Sequence, residues 1–308
     1  MAPPEKGTII LFGRRPDGKR VKQMDPIVQL TPYLMPMRCD AQVFLDHSVE
    51  FEPLMRYIAA KSREGVKITF MEILIAAFVR GVSQVPEANR FVMNKQLFNR
   101  NELTVAFTIL MDTQDGSFEE NAVKIFFDPS DTIYDVSCRV KQTIEANRKP
   151  ETPSAVVKLA GFLMKVPLLP NLVVGLVRLL DRYGLCPKWF LDIVPFHTSM
   201  FITNMASIGM HRVYHHIYNF GNTSLFFSIG APERSYGVDA EGKVTRKRTL
   251  PIGITADERV CGGAVYALLF AAINKNLKNP ELLELPPESV KYNEGCEYHM
   301  PKPQNPAE

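Results

Sequence analysis

One stretch near the C-terminus constrains the fold of this 308-residue chain more than any other. It reads LPIGITADERVCGGAVYALLFAAINKNLKNPELL: an apolar β-type run, a short polar turn, a Gly-Gly pair, and a long apolar segment that stops at Asn-Pro. The first run favours a strand, the turn residues end it, and the Asn-Pro pair ends a helix. The stretch therefore predicts a buried strand over residues 249–255, a polar turn, and a packed helix over residues 264–277.

Helix and strand patterns are mixed along the rest of the chain without strict alternation. Strand patterns cover residues 39–46, 123–127, 201–204 and 224–230, and two more strands joined by a polar turn at residues 99–102 are predicted after residue 90. Helix patterns cover residues 51–63, a second helix capped by Thr69, and a third that starts near Asp128 or Ser130 and runs to about Arg148. This order predicts an α+β layered domain rather than a doubly wound sheet.

Composition excludes several classes of protein. Hydrophobic residues make up 46% and charged residues 22% of the chain, as in ordinary globular proteins, and a net charge of +3 gives no strong attraction to nucleic acid. The five cysteines are widely spaced and form no Cys-x-x-Cys motif. That pattern argues against a disulfide framework or a zinc site and favours a cytoplasmic location. Cys261 lies in the polar turn, where a small buried residue is favoured over a reactive thiol.

The chain divides into three parts by composition. Residues 1–20 form a polar N-terminal arm, residues 21–285 carry the patterns of the main domain, and residues 286–308 hold five prolines without periodicity. The last part is expected to be a mobile or strap-like tail. The N-terminus lacks the apolar core of a secretory signal, and the most apolar stretch, residues 166–177, is too short to cross a membrane.

The turn at residues 257–263 and three further blocks resemble the CoA-dependent acyltransferases, the family of the 2-oxoacid dehydrogenase catalytic cores and chloramphenicol acetyltransferase. The opening block runs from RVKQMDP to VPEAN, MFITNMASIG is similar to the FTISNLG strand of the dehydrogenase cores, and SLFFSIGAPE is similar to their AILAVGAIE. The segment FTILMDTQDGSF resembles chloramphenicol acetyltransferase more than the dehydrogenase cores. The four blocks occur in the family's order and span residues 20–285.

This resemblance implies a fold, an assembly and a substrate. The fold is an α+β, chloramphenicol acetyltransferase-like mixed-sheet sandwich with flanking helices. The assembly is a homotrimer, with a higher cage of trimers as a further possibility, and the active site is a channel at the subunit interface. The implied substrate is CoA or acyl-CoA, without a metal, and an acyl-carrier or lipoyl protein is a possible partner. Neither nucleic acid nor a membrane is an expected partner.

The resemblance also assigns the polar turn to catalysis, but with altered residues. The family carries His-x-x-x-Asp-Gly, in which the histidine is the general base, and the matching positions here are Glu258, Gly262 and Gly263. A solvated glutamate of pKa about 4.3 is a poor base for a thiol of pKa about 8.5, a mismatch of about 5–6 kcal/mol that burial would narrow. The alternative for Glu258 is an ion pair with Arg259 or with a neighbouring subunit.

Two further segments supply candidate site residues. Thr203 matches the family's Ser/Thr that donates a hydrogen bond to the oxyanion, and Asn204 is the next candidate contact to CoA; the alternative for Thr203 is an ordinary β-branched strand residue. The loop MHRVYHHIYNFGNTS holds His211, His215 and His216. His215 or His216 could replace the lost base, and we take His216 as the site residue; a structural or interface role is the alternative.

Residues 154–192 are unusually apolar, and three roles stay open for them. They could line a pocket for a long acyl chain, lie at a membrane surface, or be buried at a trimer or cage contact, which is the favoured role. Two functions are weighed for the whole chain. One is acyl transfer from a thioester by an atypical base, and the other is a non-catalytic trimeric scaffold or thioester-binding pseudoenzyme.

Overall fold

A computed structural model describes residues 14–112, 118–147, 161, 164–165, 167–238, 240–294, 296 and 298–300. These residues form eleven strands and seven α-helices. The strands are β1 Arg14–Arg15, β2 Gly18–Arg20, β3 Gln42–Glu50, β4 Arg90–Met93, β5 Gln96–Arg100, β6 Leu103–Asp112, β7 Phe118–Phe127, β8 Met200–Asn204, β9 Leu225–Ile229, β10 Glu233–Val238 and β11 Val244–Asp257. The helices are α1 Pro26–Leu34, α2 Phe51–Arg63, α3 Phe70–Gln84, α4 Ile133–Asn147, α5 Leu169–Arg182, α6 Lys188–Ile193 and α7 Gly263–Lys278.

The strands form a large mixed sheet and a small antiparallel one. The seven-stranded sheet has the order β10-β11-β9-β8-β6-β7, with β3 also paired to β11, and the four-stranded sheet has the order β1-β2-β5-β4. In the large sheet β8 runs parallel to both β6 and β9, and the other pairings are antiparallel. The expected α+β mixed-sheet architecture with flanking helices is therefore confirmed.

Strand β11 is the longest strand of the large sheet and leads into the polar turn. Its first half pairs with β10, whereas residues 249–257 lie beside β3 and residues 252–256 also pair with β9. The apolar alternation of Leu250, Ile252 and Ile254 faces the core, where all three side chains are buried. The predicted strand over residues 249–255 and the helix after it are both present, and the strand extends further at both ends.

Helices α2, α3, α4 and α7 contribute to one continuous apolar core against the sheet. Helix α3 begins at the predicted cap: the Thr69 side chain accepts a hydrogen bond from the N–H of Glu72, and the Glu72 carboxylate accepts one from the N–H of Thr69. Phe78 of α3 meets Phe227 of β9 edge to face, with ring centroids 6.2 Å apart. Burial of these apolar faces is the main stabilising contribution to the domain.

Residues 210–221, here called the covering loop, lie against the large sheet. The loop approaches so closely that a Cβ at Gly253 would stand 2.3 Å from the backbone O of Val213, and a Cβ at Gly230 would stand 2.3 Å from the N of Arg212. Only glycine fits at such contacts, because no real Cβ tolerates that distance. The loop is thus held by the sheet itself.

The structure differs from the sequence predictions at four elements. The strand predicted over residues 39–46 is β3, which starts only at Gln42 because Cys39–Ala41 form a 3-10 turn, and it runs on to Glu50. The segment after residue 90 forms three strands rather than two, because Asn94 and Lys95 adopt positive φ values of 50° and 60° and close a tight hairpin that the sequence reading missed. Strand β10, which pairs with the first half of β11, was not predicted. Helix α4 starts at Ile133, where Thr132 and Asp135 exchange hydrogen bonds, rather than at Asp128 or Ser130.

Both chain ends join the domain where they are described. Residues 14–20, part of the expected arm, form β1 and β2, and β2 pairs with β5. In the tail, the N–H of Lys291 donates to the O of Ser83, and the N–H of His299 donates to the O of Asn101, both at 2.8 Å. The described part of the tail therefore runs along the domain as a strap. Across the described residues, the search for a helix with the length and hydropathy to cross a membrane found none.

Candidate active site

A cavity of about 600 Å³ opens where strands β6 and β8 stop pairing. Their parallel register ends at Phe107 and Ile202, and the residues directly beyond that point line the cavity. Apolar side chains form most of its wall: Met71, Phe107, Ile109, Ile144, Phe196, Phe201 and Phe226. The polar side chains in the wall are those of Thr108, Glu120, Thr203, Asn204, Ser207, His215 and Tyr218. Such an apolar cavity with few polar groups has the character of a small-molecule site.

Thr203 and Asn204 reach this cavity from the end of β8. The Thr203 hydroxyl lies 3.6 Å from the Met205 sulfur, a weak acceptor, so it keeps its capacity to donate to a ligand. The Asn204 Oδ1 atom is buried and has no hydrogen-bond partner among the described residues. A buried carbonyl oxygen without a donor is costly, and a ligand N–H would satisfy it. Asn204 is therefore suited to accept a hydrogen bond from an amide N–H of a ligand.

His215 and His216, whose ring centroids are 4.6 Å apart, differ in their access to the cavity. His215 lines the cavity, and its ring stacks on Phe226 at 4.1 Å with an interplanar angle of 5°. Its Nδ1 lies 2.9 Å from the backbone O of His216, and because a carbonyl only accepts, Nδ1 carries the hydrogen. In the neutral ring Nε2 is then free to accept a proton. His216 is exposed and is not among the residues of the cavity wall.

His211 lies further out on the covering loop. Its Nδ1 is 3.1 Å from the Glu233 carboxylate, and its side chain is exposed. The three histidines of the loop thus do not converge on one point. A search of the described residues for a cluster of three or more metal-ligating side chains found none.

Glu258 occupies the first position of the turn after β11. Its side chain is exposed, and its backbone N–H donates to the O of Ala41 at 3.0 Å. Within the chain the Arg259 guanidinium bonds Asp257 at 2.7 and 2.8 Å rather than Glu258, so of the alternative ion pairs for Glu258 the one with a neighbouring subunit stays a prediction. The apolar burial that would make Glu258 a competent base is not provided by the chain alone. Gly262, at the N-cap of α7, has an ordinary extended backbone and open space around it.

Glu258 and Thr203 lie at opposite ends of the sheet within one chain. Thr203 pairs with Ser228 of β9, whereas the N–H of Asp257, next to Glu258, bonds the O of Ser224 just before β9. Four residues of strand separate these levels, which is about 13 Å along the sheet. One chain therefore brings Thr203, Asn204 and His215 together but leaves Glu258 apart from them.

The buried ion pairs that hold the turn were not predicted from the sequence. Asp257 is nearly inaccessible; it bonds Arg259 and lies 3.4 Å from the Arg38 guanidinium. Arg38 also donates to the backbone O of Tyr218 in the covering loop and of Val92 in β4. Two opposite charges two residues apart at a strand end, Asp257 and Arg259, were the signal in the sequence.

A second buried network joins the N-terminal hairpin to helix α5. The Asp181 carboxylate accepts from Arg15 at 2.6 Å and lies 2.9 Å from Nε2 of His197. Burial favours the neutral acid, but the hydrogen bond and charge of His197 and Arg15 outweigh it and lower the pKa of Asp181 to about 2. His197 therefore has a structural role, because its ring orients this carboxylate.

Cys261 is a structural residue of the turn. Its side chain is buried, and burial raises the pKa of its thiol to about 12. A thiol of that pKa is protonated at neutral pH and is a poor nucleophile. The favoured alternative, a small buried residue, agrees with this geometry.

Comparison with solved structures places this geometry in a known fold. The probable dihydrolipoamide acetyltransferase from Listeria monocytogenes aligns with a TM-score of 0.52 and 12% identity over 85% of this chain and 95% of that one. The cubic core of the pyruvate dehydrogenase multienzyme complex aligns with a TM-score of 0.52 and 13% identity over 92% and 100%. This chain has the acyltransferase-core fold.

The likeness lies in the fold rather than in the sequence. A chloramphenicol acetyltransferase aligns with a TM-score of 0.49 and 12% identity over 84% of this chain and 99% of that one. No protein-family model matches the sequence, and no curated protein is significantly similar to it. Identities of 12–13% establish the fold alone, so the chemistry of the cavity depends on the residues that line it.

The Asp181 network gives a stability prediction with a defined pH dependence. Asp181→Asn should lower the free energy of unfolding at pH 7 by about 2–3 kcal/mol, because Arg15 and His197 lose a buried charged partner while Arg15 keeps its ion pair with Asp17. The folded pKa of about 2 lies below the ordinary 3.8, so the carboxylate stabilises the fold above that ordinary value and stops doing so as pH falls through 2. Urea denaturation should show the deficit shrinking as pH is lowered from about 4.

Asp46→Asn is the matched control for Asp181→Asn. Asp46 pairs with Arg212, but its side chain is 55% exposed, so the substitution should change stability by less than about 1 kcal/mol. Equal losses from the two substitutions at pH 7, or a deficit of Asp181→Asn that does not depend on pH, would contradict the assignment.

Proposed function

We propose that the protein is a CoA-dependent acyltransferase that moves an apolar acyl group from a thioester to a thiol or hydroxyl acceptor. One observation carries the proposal. A largely apolar cavity is lined by Thr203 and Asn204 at the end of β8 and by His215 of the covering loop. The acyltransferase-core fold supports the same class of reaction.

The three polar residues have distinct roles in this proposal. His215 accepts the proton of the acceptor at Nε2 while Nδ1–H stays bonded to the carbonyl of His216. The acceptor sulfur or oxygen attacks the thioester carbonyl, and the Thr203 hydroxyl donates to the resulting oxyanion. Collapse of the intermediate breaks the carbon–sulfur bond, and the CoA thiolate takes the proton back from His215. Asn204 holds an amide of the pantetheine arm.

The cavity wall suggests the class of acyl group. Phe107, Ile109 and Ile144 offer no charge or hydrogen bond to a substituent lying against them. An apolar acyl group would gain about 0.8 kcal/mol for each buried CH₂. The described part of residues 154–192 does not line this cavity, so the walls of β6, β8 and α4 take the role first considered for that segment.

The proposed assembly is a homotrimer, and a cage of such trimers is a further level of assembly. A neighbouring subunit could cover the exposed Glu258 and make it a second candidate base, as the resemblance to the family implies. An acyl-carrier or lipoyl protein is then the natural donor or acceptor. Sedimentation velocity of the full chain tests the assembly: a trimer or a multiple of three is expected, and a monomer would remove Glu258 from the site.

The absence of disulfides supports a cytoplasmic location for this activity. All five cysteines are free, including the exposed Cys39 and Cys138. Exposed free thiols are typical of reducing compartments.

A second candidate, a non-catalytic scaffold or thioester-binding pseudoenzyme, rests on the turn. Glu258 is exposed at the position of the family's base, and Gly262 stands where the family has aspartate. The first change replaces the family's general base, and the second removes a mainly structural ion-pair partner from the turn. Under this candidate the cavity binds an acyl thioester or nothing, and no CoA is released.

Replacing the proposed base should separate the candidates. His215→Gln should lower kcat for CoA release from an apolar acyl-CoA by roughly 10²–10⁴-fold, because glutamine cannot accept the proton. His216→Gln is the matched control on the adjacent exposed residue and should leave kcat close to that of the wild type. The readout is CoA separated from acyl-CoA by chromatography after incubation with a dithiol acceptor, because transfer to a thiol leaves the total number of free thiols unchanged.

Glu258→Gln completes the set. Loss of turnover in Glu258→Gln, with His215→Gln unaffected, would assign the base to Glu258 and overturn the role of His215. Absence of CoA release by the wild type with every acyl-CoA and acceptor tested would favour the scaffold. Circular dichroism of each variant separates a lost base from a lost fold.

A further inference from the structure

Helices α5 and α6 both expose large apolar side chains to solvent. We define the α5–α6 face by its exposed side chains: Leu168, Leu172, Leu176, Leu179, Trp189 and Ile193. Leu172 is 70% exposed and Trp189 is 65% exposed, and Asp181 is the one fully buried side chain of α5. A cluster of large apolar side chains at this exposure marks an interaction surface.

The border of this face is cationic. Arg178 and Arg182 of α5, together with Lys95 of the β4–β5 hairpin, line a recess of about 270 Å³ beside the face. Arg182 donates to the Asn94 side chain, and Lys95 lies 4.9 Å from the ring centroid of Tyr33. Among the described residues none of these three cations forms an ion pair with a carboxylate. The recess therefore offers positive charge to an outside group.

The nearby carboxylates do not neutralise the positive charge of the recess, because each of them already has another cationic partner. Asp181 is buried against Arg15 and His197, and Asp192 of α6 is paired with Lys188. A two-fold contact of this face with the same face of a second copy would therefore set cations against cations. Charge complementarity favours an anionic occupant instead.

The shape of the face distinguishes between anionic occupants. Its leucines and its tryptophan are exposed on two helices and line neither of the cavities described above, and a protein partner usually needs a complementary concavity for such anchors. A lipid surface needs none, because projecting apolar side chains enter the acyl region while basic residues meet the phosphates. Tryptophan suits that boundary, having an apolar ring and one polar N–H.

We propose that the protein attaches peripherally to anionic lipid surfaces through the α5–α6 face. Leu172, Leu176 and Trp189 insert at the level of the headgroups, and Arg178, Arg182 and Lys95 contact lipid phosphates. This revises the expectation that a membrane is not a partner and selects, among the three roles open for residues 154–192, the membrane surface.

Vesicle binding by the full chain tests the proposal. The wild type should co-sediment with vesicles of phosphatidylcholine and phosphatidylglycerol but not with phosphatidylcholine alone, and emission from Trp189, the single tryptophan, should shift to shorter wavelength. Arg178→Gln with Arg182→Gln should weaken partitioning roughly fivefold for each charge removed. Leu172→Asp with Leu176→Asp should abolish it, because the carboxylates oppose insertion.

Leu285→Asp is the matched control, since Leu285 is 72% exposed and lies outside the face. It should bind vesicles as the wild type does. Equal losses in the control, or equal binding to both kinds of vesicle, would overturn the proposal. So would a smaller assembly of Leu172→Asp/Leu176→Asp in sedimentation velocity, which would make the face an interface between copies. A Trp189 response to soluble polyglutamate but not to vesicles would assign it to an acidic protein.

Discussion

The buried guanidinium of Arg38 joins the parts of the molecule on which the site depends. It lies 3.4 Å from Asp257 at the end of β11, and it donates to the carbonyls of Tyr218 and Val92. The polar turn, the covering loop and the small sheet are thereby fixed to one another. A buried charge needs several such partners, because each lost one leaves an expensive unpaired group. The hydrogen bond from Arg38 to the Tyr218 carbonyl also restrains His215, which lies three residues earlier in the covering loop.

Much of the fold could be predicted from the sequence because apolar periodicity and capping chemistry are local. Helix α2 was predicted with its observed bounds, and the Thr69 cap of α3 is present as a full capping box. The hairpin at Asn94 and Lys95 escaped prediction because lysine at positive φ is uncommon, so no turn signal stood out. Strand β10 escaped because its sequence, ERSYGV, has no clear apolar alternation.

The candidate site was predicted only in part. Thr203 and Asn204 belong to a regular strand, so their neighbourhood follows from the sheet register. The choice between His215 and His216 depends on how an irregular loop lies on the sheet, and no periodicity encodes it. His215 is selected by its stack on Phe226, a contact between residues eleven apart. The buried network of Arg15, Asp181 and His197 was also invisible, because its members come from three separate segments.

The cavity and the α5–α6 face differ in what they can bind. The cavity beside β8 encloses apolar wall around a few polar atoms, an arrangement that recognises a small molecule. The α5–α6 face exposes apolar side chains beside cations, an arrangement that recognises an extended anionic surface. Neither surface depends on the other for its charge partners, so the two can be tested independently.

The most direct test of the central claim is thermal unfolding of the wild type with CoA and a series of acyl-CoAs of increasing chain length. If the cavity is the acyl site, longer apolar acyl groups should stabilise the fold more than acetyl-CoA or CoA does. A ligand present at about 100 times its dissociation constant should add roughly 2.7 kcal/mol to the free energy of unfolding. A melting temperature unchanged by every one of these ligands would contradict the account.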